Sequence, residues 1–216
     1  MALFLIRHGE TLGNASRTVQ LPDNPLSPRG FAQARRLADR LEREGIAAIL
    51  SSDLARAAQT AEHLACATGL PVRHDPLLRE RDFGDLRGTP YAELGFDMFA
   101  PGYAPPNGET WEVFHARVDL AWALILEGAA AVDGPVAVVT HGLVCRSLAG
   151  RRLVLPEGVA VPERWENTAV TIVESPEPSA GSEAELWTAQ WRVRLLNCIA
   201  HLDDLAARPS SDSGAV

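Results

Sequence analysis

The sequence predicts an α/β domain: a mostly parallel central sheet with helices on both faces, in three α/β/α layers. Two observations lead there. Short apolar runs alternate with amphipathic helical stretches through the front half of the chain, and parallel strands are the ones that need such crossovers. Two of the runs, "FLIRHG" (residues 4–9) and "VVTHG" (residues 138–142), also end in the same His-Gly pair. Parallel strands deliver such ends to one edge of the sheet, where ligands bind in open α/β folds.

The elements follow in order. Ala2–Ile6 is a short apolar run and reads as a buried strand. In the stretch that follows, Ser27 is placed to cap a helix, with Pro28 at its first position and Gly45 as terminator. Phe31, Ala34, Leu37, Ala38 and Leu41 recur at helical spacing and form its inner face. Ile46–Leu50 is a second buried strand. A second helix follows, capped by Ser51 or Ser52, ended by Gly69, and carrying an apolar stripe from Leu54 to Ala65. Val72–Leu78 reads as a third strand. From Asp82 to Asn107 the pattern breaks into Gly, Pro and aromatics, as an excursion over the surface would. Thr110–Glu127 is helical, "PVAVVTHG" is a fourth strand, and "LVCRSLAGRRL" opens another helix. "TAVTIVE" and "LWTAQWRVRLLN" alternate like a strand pair, joined by the polar, mobile loop "SPEPSAGSEAE". One domain is expected over residues 1–204, with the excursion at about 82–110 and a disordered tail at 205–216.

Composition limits the function. The chain has 216 residues and a net charge of −8, so it does not attract nucleic acid or an anionic membrane in bulk. Any anionic substrate must be won by a local cluster of cations. No apolar run is long enough for a membrane span, and no basic segment precedes the first apolar residues, which favours a cytoplasmic protein. Cys66, Cys145 and Cys198 are far apart, without metal-ligand or disulfide spacing, and read as buried free thiols. His63, His74 and His115 read as structural, and His201 as part of the C-terminal packing.

The residues that carry chemistry gather at the expected strand ends. His8 and His141 would face each other, while Gly9 and Gly142 let the backbone approach a ligand closely and offer amide groups to an anion. Arg7 adds a permanently charged fork suited to phosphate oxygens. Arg56 lies early in the helix after strand two, and Glu80 follows strand three. A neutral imidazole is a competent nucleophile. Phosphoryl transfer needs such a nucleophile in line, cations on the equatorial oxygens, and a proton for the leaving oxygen. His8 suits the first role, Arg7, Arg56 and His141 the second, and Glu80 the third. None of these roles requires a metal. A solvated charge run is the rival reading for Glu80, which sits between Arg79 and Arg81.

This set resembles the histidine phosphatase superfamily, also called phosphoglycerate mutase-like. "LIRHGETLGN" looks like its phosphohistidine motif, with Asn14 as the phosphate-contacting asparagine. "NPLSPRGFAQA" resembles the lead into its first helix, and "SSDLARAAQTAE" the stretch carrying the second arginine, here Arg56. "LLRERDFGDLRG" resembles the stretch carrying the acid/base glutamate, here Glu80. "PNGET", "VVTHG" and "LLNCIAHL" match later elements, so that the resemblance runs from about Ala2 to Leu202. It implies a covalent phosphohistidine on His8, no metal and no cofactor. It also implies a small phosphorylated metabolite as substrate, and an 82–110 excursion that covers the pocket.

The chain departs from the pattern in two places. Arg87 stands where an acid is common, which would favour an extra anionic group on the substrate. The excursion is short and lacks the Lys- and Tyr-rich insertion usual in the mutases, which favours the small phosphatase branch. A phosphomonoester hydrolase is therefore the leading expectation. A phosphoglycerate-type mutase is the alternative, followed by a non-catalytic phosphate-binding module. A homodimer is compatible with the sequence.

Overall fold

The computed structural model describes residues 1–175 and 190–206. A seven-stranded sheet runs through the middle. Its strands are β1 (Ala2–Arg7), β2 (Ala48–Ser51), β3 (Val72–His74), β4 (Val136–Thr140), β5 (Leu153–Val154), β6 (Val170–Glu174) and β7 (Trp191–Cys198). They lie in the order β3-β2-β4-β1-β6-β7-β5. Only β6 runs against the others, pairing antiparallel with β1 and with β7. The pairings among β1, β2, β3 and β4, and that of β5 with β7, are parallel. The expected mostly parallel sheet is therefore present, with one reversed strand near its centre.

Alternation along the strands builds the layers. Leu3 and Leu5 of β1 pack with Val136 and Val138 of β4 against one face. That face is covered by α4 (Trp111–Ala130) and α5 (Gly142–Arg151), through Phe114, Val118, Ile125, Val144 and Leu148. Phe4 and Ile6 point the other way, to α2 (Pro28–Leu41) and α3 (Ala55–Thr68), where Leu37, Leu41, Ala57, Ala61 and Leu64 meet them. No helix among the described residues is long and apolar enough to cross a membrane.

Several local expectations change. Ser27 caps α2 as foreseen, accepting from the Gly30 amide, but the helix ends at Leu41 and Gly45 follows in a left-handed turn (φ 67°). Phe31 is 40% exposed rather than inside, and packs against His63 at a ring distance of 5.9 Å. Neither Ser51 nor Ser52 caps α3, whose N-cap is Leu54. β3 stops at His74, because Pro76 cannot donate to a ladder and a 3₁₀ turn (Pro76–Leu78) takes over. Of the cysteines, Cys145 alone is fully buried, and Cys66 is exposed. The excursion folds into short 3₁₀ turns at Gly84–Leu86 and Tyr91–Glu93. The loop expected to be mobile lies almost wholly outside the described residues. So does the tail beyond residue 206, while 205–206 close a short helix, Asp203–Ala206.

Candidate active site

β1, β2 and β4 run side by side, and their C-terminal ends open on one cleft. Register holds them level: Arg7 pairs with Thr140, and Ser51 with Val139. The residues just beyond, His8 and His141, are therefore neighbours, with ring centroids 5.1 Å apart at 59°. The His8 amide donates to the Thr140 carbonyl at 2.9 Å, which locks the two strand ends together. The cleft holds about 890 Å³, and its lining includes Arg7, His8, Asn14, Arg56, Glu80 and Gly142. Every predicted site residue thus lines the cleft, except His141, which packs against His8. Nine arginines line it against five acids, a local positive excess on a chain of net charge −8.

His8 is 1% exposed and its orientation is fixed. Its Nδ1 lies 2.6 Å from the Gly9 carbonyl, which can only accept, so Nδ1 carries the proton. In the neutral ring the lone pair is then on Nε2. Burial first, then the charges of Arg56 and Arg7, hold the His8 pKa well below the usual imidazole value. The ring is therefore kept neutral. His141 is lowered for the same leading reason, burial, reinforced by Arg56, His8 and Arg7. Its Nε2 is 2.9 Å from Ser52 Oγ.

The cations are only partly satisfied by the protein. Arg56, 3% exposed, donates Nη1 to the Leu21 carbonyl at 3.1 Å, and Arg7 donates Nη1 to the Trp165 carbonyl. Arg7 Nε, Arg56 Nε and His141 Nδ1 have no hydrogen-bond partner although they are buried. Leaving one such group unpaired costs about 1–3 kcal/mol. Arg7 Nε and Arg56 Nε, on cations that bear on His8, are donors able to cradle an oxyanion. Burial draws the Arg56 pKa down to about 10, with Glu80 raising it and Arg7 lowering it, so the guanidinium stays charged at neutral pH.

Glu80 is half-buried and lies in none of the strands. Its Oε1 accepts from the Arg81 amide at 3.0 Å and its Oε2 from the Leu143 amide at 3.2 Å. Burial raises its pKa, with those two bonds and the charges of Arg56 and Arg7 pulling the other way. Of the neighbouring arginines only Arg81 is taken out of solvent, while the Arg79 side chain stays 50% exposed. Arg81 is 2% exposed, its guanidinium 3.9 Å from the centroid of the Trp111 ring, and Arg79 forms a paired contact with Asp53. Arg87 lines the cleft but is occupied by Asp82 at 2.7 Å, so it offers less to a ligand than its position suggested.

Three supporting residues were not foreseen. Asn167 donates from one amide nitrogen to the His8 carbonyl at 3.0 Å and to Asn14 Oδ1 at 3.2 Å. That bond and one from the Thr11 amide occupy the oxygen of Asn14, leaving its NH₂ end for the cleft. Thr60 accepts from the Gly9 amide at 3.0 Å and donates to the Arg56 carbonyl at 2.7 Å, tying the two halves of the cradle. Ser52 reaches His141 as described. Among the described residues, no three His, Cys, Asp or Glu side chains are grouped to hold a metal ion.

Comparison with known proteins places the family and the fold. The family model described as histidine phosphatase superfamily (branch 1) matches residues 3–187. The chain belongs to the histidine phosphatase superfamily. Within it, the chain is 33% identical over 214 residues to a protein named "Probable phosphoglycerate mutase GpmB" from Yersinia pestis (strain Pestoides F), covering 94% of this chain and 95% of that one. Among solved structures it is similar to the mycobacterial glucosyl-3-phosphoglycerate phosphatase Rv2419c in complex with VO3. The TM-score there is 0.77 at 27% identity, over 91% of this chain and 99% of that one. Bacillus stearothermophilus YhfR gives a TM-score of 0.76 at 29% identity, over 94% and 99%. These superfamily relatives are named both as phosphatases and as mutases, and their shared phosphoglycerate mutase-like α/β fold is that of this chain.

Proposed function

We propose that this superfamily member is a phosphomonoester hydrolase that works through a covalent phosphohistidine on His8. The observation that carries the reading is the state of His8: its Nδ1 proton is spent on the Gly9 carbonyl, which leaves the Nε2 lone pair for a phosphorus centre. In the first step Nε2 attacks, the P–N bond forms, and the P–O bond to the alcohol breaks. Arg7, Arg56, His141, Asn14 and the Gly142 end of α5 stabilise the equatorial oxygens. Glu80 gives its proton to the leaving oxygen. In the second step Glu80 takes a proton from water, whose oxygen attacks phosphorus, and inorganic phosphate leaves with His8 restored.

Rv2419c, named for action on glucosyl-3-phosphoglycerate, supports a small phosphorylated metabolite as the substrate class. The mutase reading is favoured by the name of the GpmB relative. The short excursion at 82–110 weighs against it, because a mutase must shield its phosphoenzyme from water. His8→Ala is expected to abolish turnover of p-nitrophenyl phosphate and acid-labile labelling of the protein by a ³²P-phosphomonoester. Labelling that persists in the variant would overturn the nucleophile. Isomer interconversion of phosphoglycerates without release of free phosphate would favour the mutase.

A further inference from the structure

Arg117 and Glu109 play no part in the chemistry above, yet they form the most heavily bonded ion pair in the cleft wall. Their side chains are 18% and 16% exposed. A guanidinium has five N–H groups, and all five of Arg117 find acceptors. Nε and Nη2 meet the two oxygens of Glu109, both at 2.7 Å. Nη1 reaches the carbonyls of Leu77 at 2.8 Å and Arg79 at 2.7 Å, and Nη2 reaches that of Glu80 at 3.1 Å. Glu109 closes the other side: its Oε2 accepts from the Asp82 amide at 2.9 Å, and its own amide donates to the Asp82 carbonyl at 2.9 Å. Burial works against the charge of Glu109, but the bonds from Arg117 and the Asp82 amide hold its pKa below the ordinary value. With every N–H committed, Arg117 has none left for a substrate.

The gripped segment lies between two 3₁₀ turns, Pro76–Leu78 and Gly84–Leu86, where no sheet ladder orders it. One peptide plane is decisive. The Glu80 carbonyl and the Arg81 amide are its two ends and move together. Arg117 holds the carbonyl end, and the amide end donates to Glu80 Oε1. Orientation of the ion pair is therefore passed through one rigid unit to the Glu80 carboxyl.

We propose that Arg117 and Glu109 are positioning residues for proton transfer by Glu80, which rests on the reading of Glu80 as the acid given above. The test compares kcat/KM for two esters in Arg117→Lys, Arg117→Met and Glu109→Gln. A p-nitrophenolate departs without needing a proton, whereas the alkoxide of glycerol phosphate needs one. Each variant is expected to lose roughly tenfold more activity on glycerol phosphate than on p-nitrophenyl phosphate, a share of the ~10²–10⁴ that a general acid contributes. In a Glu80→Gln background the same substitutions are expected to add little further loss on glycerol phosphate.

Equal loss on both esters would mean a purely structural brace and would overturn the proposal. Should Arg117→Met fail to fold, Glu109→Gln, which leaves the three carbonyl contacts of Arg117 in place, supplies the comparison. Discrimination between the esters by Glu80→Gln but not by the Arg117 and Glu109 variants overturns this proposal alone. Its absence in Glu80→Gln overturns the role of Glu80 and this proposal with it. The His8 labelling experiment is independent of either result.

Discussion

The two ring nitrogens of His8 have opposite surroundings, and that asymmetry sets its pH behaviour. Nδ1 is held by the Gly9 carbonyl, while burial, Arg56 and Arg7 disfavour a second proton on the ring. As the proposed nucleophile, His8 fails when it gains a proton, and a lowered pKa moves that failure to a pH below the ordinary 6.5. In the proposed mechanism Glu80 must be protonated in the first step, and its raised pKa carries the proton to a pH above the ordinary 4.5. The pH profile of kcat/KM should therefore have an ascending limb below pH 6.5 and a descending limb above pH 4.5, both belonging to the coupled site. Glu80→Gln is expected to lower kcat/KM for an alkyl phosphate by about 10²–10⁴ and to erase the descending limb. A limb that survives in this variant would assign the proton to another group. His8, Arg7, Arg56, Glu80 and His141 were legible in the sequence because each was read at a strand end or a helix start on one sheet edge, although Glu80 in fact lies beyond the Pro76–Leu78 turn. Asn167 was not, for a directional reason. It lies just before β6, and only because β6 runs antiparallel does its start, rather than its end, face the site. Strand direction is a tertiary fact that apolar alternation does not carry. Thr60 was hidden in a helical pattern, and only the approach of the Gly9 amide gives it a task.

At the scale of elements, the turn after β1 is held by the first turn of α2. Ser27 caps that helix and also donates its hydroxyl to Glu10 Oε1 at 2.9 Å. The Ser27 amide donates to the Glu10 carbonyl at 2.8 Å. Gly30 and the Gly9–Glu10 backbone then approach so closely that a Cβ on Gly30 would lie 2.0 Å from the Glu10 carbonyl oxygen. Because backbone meets backbone, no side chain can give way. Gly30→Ala should therefore cost about 1–3 kcal/mol and move the turn that presents His8. The expected result is a lower melting temperature together with a loss of kcat; an unchanged melting temperature would mean that α2 can shift freely. The Ser27 cap and Pro28 start of α2 were readable because capping chemistry is local. The close approach of Gly30 was not, since it depends on where a remote turn lies. The same distinction covers the other elements. β1 and β4 were placed nearly to the residue by their apolar runs, while the two-residue β5 exists only through its pairing with β7.

For the whole molecule, folding keeps several imidazoles neutral, and this links stability to pH. His8 and His141 are held well below 6.5, chiefly by burial. His201 is lowered to about 4 by burial and by Arg40. Arg40 Nη1 lies 3.1 Å from its Nδ1, and Thr168 Oγ1 lies 3.0 Å from its Nε2. Thr168 donates its hydroxyl proton to the Asn167 carbonyl, so it accepts from His201 Nε2–H, and Nδ1 accepts from Arg40. A second proton on the ring would face the guanidinium. In the unfolded chain each imidazole takes its proton near pH 6.5, whereas the folded chain refuses it. Acidification between these values therefore adds protons to the unfolded state alone, and stability falls. Glu80 acts in the opposite sense: its folded pKa is raised, so its stabilising proton is present at low pH and lost as pH rises. The carboxylates with lowered pKa enter as pH falls through the usual carboxylate range, at the lower end of this window. They are Asp53, held by Arg79; Glu109 and Asp119, where arginine partners outweigh opposing burial; and Glu112, held by its own amide and by Thr110. The window from pH 6.5 to about 4 thus belongs mainly to the histidines. Calorimetry across it should show a steadily falling melting temperature, and His201→Gln, which keeps polar atoms for Thr168 and Arg40, should give a shallower fall. Parallel curves for the two proteins would show that His201 takes up its proton equally in both states.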